Sequence, residues 1–172
     1  MTEHDLGTAS HEDDGYVVRF ERHLAHPREK VWRALTESEH LAHWMPCDIV
    51  GERRAGAEIE LPFWPAQVER WGIETPTLPG VINVWEPPAV FEWRWSTDLL
   101  RWELDEVDGG TRLRLTTWVG PDGNDAANKA AGYHVCLDHL IELLDTGTAP
   151  PLVDADPSAL EASYRAGIPG AG

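Results

Sequence analysis

The chain has 172 residues, enough for one domain with a sizeable core, and a formal net charge of −16. This charge argues against nucleic acid and anionic membranes as partners, because both repel an acidic surface, and it also promotes solubility. The two cysteines, Cys47 and Cys136, form no CxxC motif, which indicates free thiols in a reducing compartment. We expect a cytoplasmic protein without membrane insertion, because the N-terminus has no signal-peptide pattern and no apolar run approaches about 20 residues.

The N-terminal part of the chain passes from a polar segment to a strand and then to two short helices. Residues 1–14 are acidic and polar and are expected to be disordered. Residues 16–24 alternate with a period of two and predict a strand, with Arg22 on its apolar side. Pro27 suits the first turn of a helix, and Ser38 is a suitable N-cap for a second short helix.

After Pro46 the period-two pattern predicts a run of six further strands. Turn residues separate them and no helix intervenes, which is typical of an antiparallel meander. The stretch 64–80 is an exception, because its three prolines and two glycines predict a loop, long enough to be functional or disordered. The predicted strands span residues 47–53, 57–63, 81–86, 90–95, 99–107 and 111–119.

The period returns to 3.6 residues for one long helix that begins after Asp122 and ends at about Asp145, before Gly147. A curved antiparallel sheet with this helix across its concave face would bury both apolar surfaces, and the mismatch in curvature would leave a cavity. The Pro-, Gly- and Ala-rich remainder is expected to be flexible, with at most one weak helical turn near residues 159–164. The predicted organisation is a disordered segment (1–14), one α+β domain (15–146) and a flexible tail (147–172).

Four segments in this order resemble a known family: "HPREKVWRALTESEHLAHW", "PPAVFEWRW", "DGGTRLRLTT" and "GYHVCLDHLIELL". Over about residues 16–146 the chain is similar to the activator of Hsp90 ATPase homologue 1-like branch of the START/Bet v 1-like (SRPBCC) superfamily. The resemblance implies a helix-grip fold: a curved seven-stranded antiparallel sheet wrapped around a long C-terminal helix, with two short helices after strand 1. It also implies a pocket for hydrophobic small molecules.

Three features depart from the family pattern. Thr117 stands where the family often has a histidine, and Tyr133 stands where a tryptophan is typical. The loop 64–80 is also longer and richer in tryptophan than is usual. Because the family includes lipid carriers, polyketide cyclases and co-chaperone domains, the fold alone does not determine the function.

Any one tryptophan is better explained as a core residue, but nine tryptophans against three phenylalanines suggest, as a set, that aromatic rings line the cavity. Strand parity also directs three polar side chains, Arg22, Asn83 and Thr117, towards the interior, where they could orient a ligand. For Arg22 a shifted register or an exposed strand end is the alternative. The predicted ligand-binding residues are Arg22, Trp44, Phe63, Trp71, Asn83, Trp85, Phe91, Trp93, Trp95, Trp102, Thr117, Tyr133, His134 and Leu137.

The helical segment 132–144 carries two histidines, a cysteine and an aspartate in six consecutive positions, which raises the question of a catalytic or metal cluster. At about 100° per residue, Tyr133, Leu137, Leu140 and Leu144 form one buried stripe. His134 and Cys136 then lie about 160° apart on opposite flanks, so they cannot share a metal ion. His134 remains a weak catalytic candidate at the pocket rim.

His134 is also four residues from Asp138, within reach of an i,i+4 contact. No nucleophile motif, phosphate-binding loop or metal-binding spacing is present. His40 and His43 could share a helix face, but we see no carboxylate or thiol ligand near them in the sequence. We therefore expect no metal and no cofactor.

Three functions are compatible with this pattern. The favoured one is binding of a lipid-like, aromatic or polyketide-like molecule without a reaction. The alternative is a polyketide cyclase/dehydratase-like enzyme, in which His134 supplies acid/base catalysis and Arg22 polarises a carbonyl. A co-chaperone-like interaction module is least expected, because the full co-chaperone would need an extra N-terminal domain. A homodimer formed through an exposed apolar face is compatible with all three.

Overall fold

Alternation of apolar and polar residues builds one sheet of seven antiparallel strands in the computed structural model, which describes residues 6–168 and 171. The spatial order of the strands is β1-β2-β7-β6-β5-β4-β3. The strands are β1 (Thr8–Glu12), β2 (Gly15–Leu24), β3 (Glu58–Pro62), β4 (Thr77–Glu86), β5 (Val90–Trp95), β6 (Asp98–Val107) and β7 (Gly110–Trp118). The helices are α1 (Arg28–Thr36), α2 (Ser38–Trp44), α3 (Pro65–Trp71), α4 (Gly123–Thr146) and α5 (Ser158–Gly167), and a 3-10 turn spans Leu152–Asp154.

The long helix α4 is limited by the signals that predict its ends. The side chain of Asp122 accepts a hydrogen bond of 2.9 Å from the backbone N–H of Asp125, which caps the first turn. After the last turn, Gly147 adopts a left-handed conformation with a φ of 83°, and this conformation favours glycine. Apolar side chains of α4 and of the sheet join one buried cluster, so the helix-grip architecture expected from the resemblance is confirmed.

The sheet contains the expected number of strands, but one of them comes from a different part of the chain. Residues 47–53, predicted as a strand, make only two isolated bridges, Cys47 with Phe63 and Val50 with Glu60. The seventh strand is β1, within the segment 1–14 that composition predicted to be disordered; residues 1–5 lie outside the described range.

The correction for β1 has a local cause. Asp13 takes a left-handed φ of 51° in the turn between β1 and β2, a conformation that aspartate tolerates, and Gly15 follows. Arg19 and Glu12 form an ion pair of 2.9 Å between the two strands. The polar composition of residues 1–14 therefore did not predict β1, because β1 pairs with β2 through backbone groups.

The segment 64–80, predicted as a loop, contains a helix and the beginning of a strand. Pro65 occupies the first turn of α3, and Gly72 ends that helix with a left-handed φ of 62°. Strand β4 then begins at Thr77. Pro65 and Gly72 thus mark the ends of a short helix, whereas Pro79 and Gly80 lie within β4.

The tail 147–172, predicted to be flexible, folds back over α4 through α5. Leu160 and Tyr164 of α5 are buried, and so is Leu152 in the 3-10 turn. The Tyr164 hydroxyl accepts a hydrogen bond of 2.8 Å from the backbone N–H of Gly7 and lies 2.8 Å from Nδ1 of His134. One side chain therefore joins the segment before β1, helix α4 and helix α5.

Candidate functional site

A cavity of about 560 Å³ lies at one end of the sheet, between the β5–β6 hairpin and the N-terminal half of α4. Helix α3 and the segment around the 3-10 turn form its other walls, and these two elements contact each other. Its aromatic lining consists of Phe63, Trp71, Trp95 and Tyr133. Helix α4 contributes Gly132 and Cys136, and the C-terminal segment contributes Leu152, Ala155 and Pro157.

The polar side of the cavity is built around Asp98, the first residue of β6. Its two carboxylate oxygens accept hydrogen bonds from Lys129 Nζ at 2.8 Å and from the Tyr133 hydroxyl at 3.3 Å. Lys129 Nζ also lies 3.3 Å from a carboxylate oxygen of Asp125 and 3.5 Å from the carbonyl oxygen of Val119. The cavity therefore combines an aromatic wall with an internally paired charged group, next to the uncharged polar residues Ser96, Thr97 and Asn128.

Burial and pairing shift the pKa values of these groups in ways that follow from their surroundings. Burial raises the pKa of Asp98, and the bond from Lys129 opposes this effect only in part. Burial alone would lower the pKa of Lys129, but the contacts with Asp98 and Asp125 outweigh it and raise that pKa. Burial also holds the pKa of Tyr133 well above its ordinary value. Lys129 and Tyr133 therefore keep their protons at neutral pH.

Four of the predicted ligand-binding residues come together at this cavity, namely Phe63, Trp71, Trp95 and Tyr133. A second group instead fills the core, where each side chain is at most 2% exposed: Trp44, Phe91, Trp93, Trp102, Thr117 and Leu137. Trp85 is half-buried and packs against Trp32 and Phe91, with ring centroids 5.1 and 5.3 Å apart. Most of the aromatic rings predicted to bind a ligand are therefore divided between the core and the cavity wall.

Asn83 does not point into the interior, because β4 contains a bulge between Ile82 and Val84. Ile82 pairs with Trp93 and Trp85 pairs with Phe91, so the inward side chains of β4 are three residues apart instead of two. Asn83 is exposed and its amide lies 3.3 Å from a carboxylate oxygen of Glu92. The prediction that Asn83 points inward was wrong, because the bulge changes which residues of β4 face the interior.

Arg22 and His134 are not part of the cavity lining, and His134 instead contacts Tyr164 of α5. Arg22 is 8% exposed, which supports its inward parity, and its guanidinium lies 5.8 Å from the centre of the Phe20 ring. His134 is fully buried, and its Nε2 lies 3.7 Å from Asp138, the i,i+4 neighbour expected from the sequence. Cys136, in contrast, lines the cavity, as the opposite flanks of the helix require.

Several lining residues were absent from the sequence-based set, and two kinds of signal could have found them. Lys129 and Cys136 lie four residues before and three residues after Tyr133, on the same side of α4. Asp98 is the direct cross-strand partner of Trp95. No local signal marks Leu152, Ala155 and Pro157, because their place in the wall depends on the return of the tail.

One exposed group of potential metal ligands lies at α2. Glu37, Glu39 and His40 place three ligand atoms within 4.8 Å of one another, which corrects the statement that no carboxylate lies near His40. The side chains are solvated, and such pairs are ordinary at protein surfaces. Within residues 6–168, no helix combines the length and apolarity needed to cross a bilayer.

The burial of the Cys136 thiol predicts how the stability of the folded state depends on pH. Burial raises the pKa of Cys136 from an ordinary 9.0 to about 12 and also raises that of Cys47. The folded state thus disfavours the thiolate, so its stability is full below pH 9 and falls as the pH rises from 9 towards 12. Urea unfolding at several alkaline pH values measures this loss, and the variant C47A/C136A should lose less; an identical loss in both proteins would contradict the assignment.

The architecture, a seven-stranded antiparallel sheet packed on a long C-terminal helix, defines a helix-grip protein of the Bet v 1-like class. The model of the family described as activator of Hsp90 ATPase homolog 1-like protein matches residues 25–145, so the chain belongs to this family. No curated protein matches the sequence.

Solved structures show the same fold. A conserved protein of unknown function from Enterococcus faecalis has a TM-score of 0.75 at 19% identity, over 92% of this chain and 87% of that chain. CalU16 from Micromonospora echinospora has a TM-score of 0.68 at 18% identity, over 94% of each chain. A Bordetella parapertussis protein has a TM-score of 0.69 at 26% identity, over 95% of this chain and 94% of that chain.

Proposed function

We propose that this protein binds a small hydrophobic molecule in the cavity between the sheet, α3, α4 and the C-terminal segment. The observation that carries the proposal is the cavity itself, which has a volume of about 560 Å³ and a largely apolar lining with four aromatic side chains. Its polar groups are the Asp98–Lys129 pair and three uncharged residues, Ser96, Thr97 and Asn128. Ligand pockets are typically 300–1,000 Å³, mostly apolar, with a few polar groups that orient the ligand. The size and chemistry of this cavity fit that description.

The exposure of Trp71 adds support to the binding function. Its side chain is 48% exposed although it lines the cavity, whereas Trp93 and Trp102 are at most 2% exposed. A single exposed aromatic ring is common on protein surfaces. Here the exposed ring stands beside Phe63 and Trp95, so a bound ligand would cover apolar surface that is otherwise in contact with water.

The lining favours binding over catalysis. The candidate acid/base His134 is fully buried and is not part of the cavity wall. The Cys136 thiol is a poor nucleophile at neutral pH, because burial raises its pKa to about 12. Asp98 and Lys129 are hydrogen-bonded to each other. Among residues 6–168 we find no feature that favours the cyclase, the co-chaperone-like module or a homodimer over simple binding.

Gly132 provides a direct test, because it is an exposed residue of the cavity lining, where a large added side chain would compete with a ligand for space. A Cβ at this position would meet no atom within 4 Å outside the helix backbone. We expect G132F to weaken binding of the neutral fluorescent probe N-phenyl-1-naphthylamine at least tenfold, a change of about 1.4 kcal/mol. Fluorescence titration measures the dissociation constant, and thermal unfolding monitors the fold.

G132A is the matched control for this test. Alanine lacks the volume to fill the cavity, so the loss of affinity should be less than about threefold, while helix propensity should raise stability by about 1 kcal/mol. Unchanged probe affinity in a folded G132F protein would place the probe elsewhere and contradict the proposed site.

A further inference from the structure

The charges around the cavity restrict which ligands it can accept. Of the lining side chains in the described part of the chain, two are charged, Asp98 and Lys129. They form an ion pair with 2.8 Å between Lys129 Nζ and Asp98 Oδ1. A charged group on a ligand can therefore meet an opposite charge in the lining only at this pair.

Lys129 has no N–H group left for an anionic ligand. Its ammonium group has three donors, and three acceptors surround it: Asp98 at 2.8 Å, Asp125 at 3.3 Å and the Val119 carbonyl at 3.5 Å. An anion entering the cavity would have to displace one of these partners. It would also lose part of its own hydration, which is costly when no counter-charge replaces it.

The local charge balance is negative. Asp98, Asp125 and Lys129 together place two carboxylates against one ammonium group. Asp98 itself faces the cavity, so an anionic ligand would approach a like charge in a partly enclosed site. The formal net charge of −16 on the whole chain adds a weaker repulsion that salt screens.

We propose that the cavity discriminates against anions, so that an uncharged ligand binds more tightly than a carboxylate or sulfonate with the same hydrophobic skeleton, and that the Asp98–Lys129–Asp125 group is responsible for this selectivity. This inference rests on the proposed binding function and narrows it. It favours neutral aromatic compounds, alcohols and esters, and it disfavours free fatty acids.

Two fluorescent probes with a common skeleton test the proposal in the full chain. N-Phenyl-1-naphthylamine is uncharged, and 1-anilinonaphthalene-8-sulfonate is the same molecule with one sulfonate group. We expect the neutral probe to bind at least tenfold more tightly, with both dissociation constants measured by fluorescence titration in 0.15 M salt. At this ionic strength the screening length is about 8 Å, so distant charges contribute little.

Two variants separate the local group from the general charge of the protein. D98N removes the negative charge on the cavity wall, so that the positive charge of Lys129 is balanced less completely. The ratio of the dissociation constant of the sulfonate to that of the neutral probe should therefore fall by at least threefold. E106Q makes the same change in net charge at an exposed position of β6, eight residues away, or about 26 Å along the strand. We expect E106Q to leave the ratio unchanged.

Each outcome has a distinct meaning. Tight binding of both probes, or tighter binding of the sulfonate, would overturn the selectivity while leaving the binding function intact. Equal effects of D98N and E106Q on the ratio would assign the selectivity to net charge and overturn the role of the local group. Failure of both probes to bind would contradict the binding function and, with it, the selectivity.

Discussion

Replacement of Trp102 by alanine is expected to lower the free energy of unfolding by about 3–5 kcal/mol, the usual cost of deleting a large buried aromatic side chain. Trp102 is 2% exposed in the middle of β6, between Phe91 of β5 and Leu115 of β7. Its ring also packs edge-to-face against Trp44, with centroids 5.5 Å apart. Urea unfolding followed by far-ultraviolet circular dichroism measures the loss.

The matched variant W71A removes the same type of side chain from the cavity wall. Trp71 is 48% exposed at the end of α3, so we expect its loss to change stability by less than about 1 kcal/mol. It should also weaken binding of N-phenyl-1-naphthylamine, because one aromatic wall is removed. Similar destabilisation by W71A and W102A would contradict the division of the tryptophans between core and cavity.

The division of the aromatic residues between core and cavity could be predicted only in part from the sequence. Strand parity identifies which side chains point inward, but it does not tell how far each lies from the cavity. Phe91, Trp93 and Trp95 lie on one strand with the same parity, yet the first two are at most 1% exposed and only Trp95 lines the cavity. Position along the strand decides the difference, and it depends on where α3 and the tail leave space.

Elements with strong local signals were predicted well. The ends of α4 follow from a side-chain cap at Asp122 and a left-handed glycine at Gly147, both of which are local interactions. The strands from β5 to β7 follow from alternation on a sheet with one buried face. The family resemblance then arranged these elements correctly.

The failures in the tail, in β4 and at the cavity share a different physical cause, which is stabilisation by partners distant in sequence. Helix α5 gains its stability by burying Leu160 and Tyr164 against the rest of the domain, which composition alone does not reveal. The bulge in β4 shifts parity through its pairing with β5. The polar group at Asp98 likewise needs a residue of β6 and a residue of α4 to meet.

Deletion of residues 148–172 is expected to destabilise the domain by about 3–5 kcal/mol. It removes four buried side chains, namely Leu152, Leu160, Tyr164 and Ile168. Each contributes roughly 1.5–3 kcal/mol when fully buried, and the entropic cost of ordering the segment reduces the sum. The deletion also uncovers Phe20 and His134, whose rings lie 6.3 and 5.9 Å from that of Tyr164. Urea unfolding of the full and shortened chains measures the difference.

The variant Y164F separates the hydroxyl group of Tyr164 from the packing of α5. The ring contacts remain, but the Gly7 N–H loses its acceptor and His134 loses a hydrogen bond, at an expected cost of about 1–3 kcal/mol. The cavity wall formed by Leu152, Ala155 and Pro157 stays in place in Y164F and is absent after the deletion. Binding of N-phenyl-1-naphthylamine should therefore persist in Y164F and be lost in the shortened chain, even under conditions where both remain folded. Retention of tight binding by the folded, shortened chain would show that the tail is not part of the site.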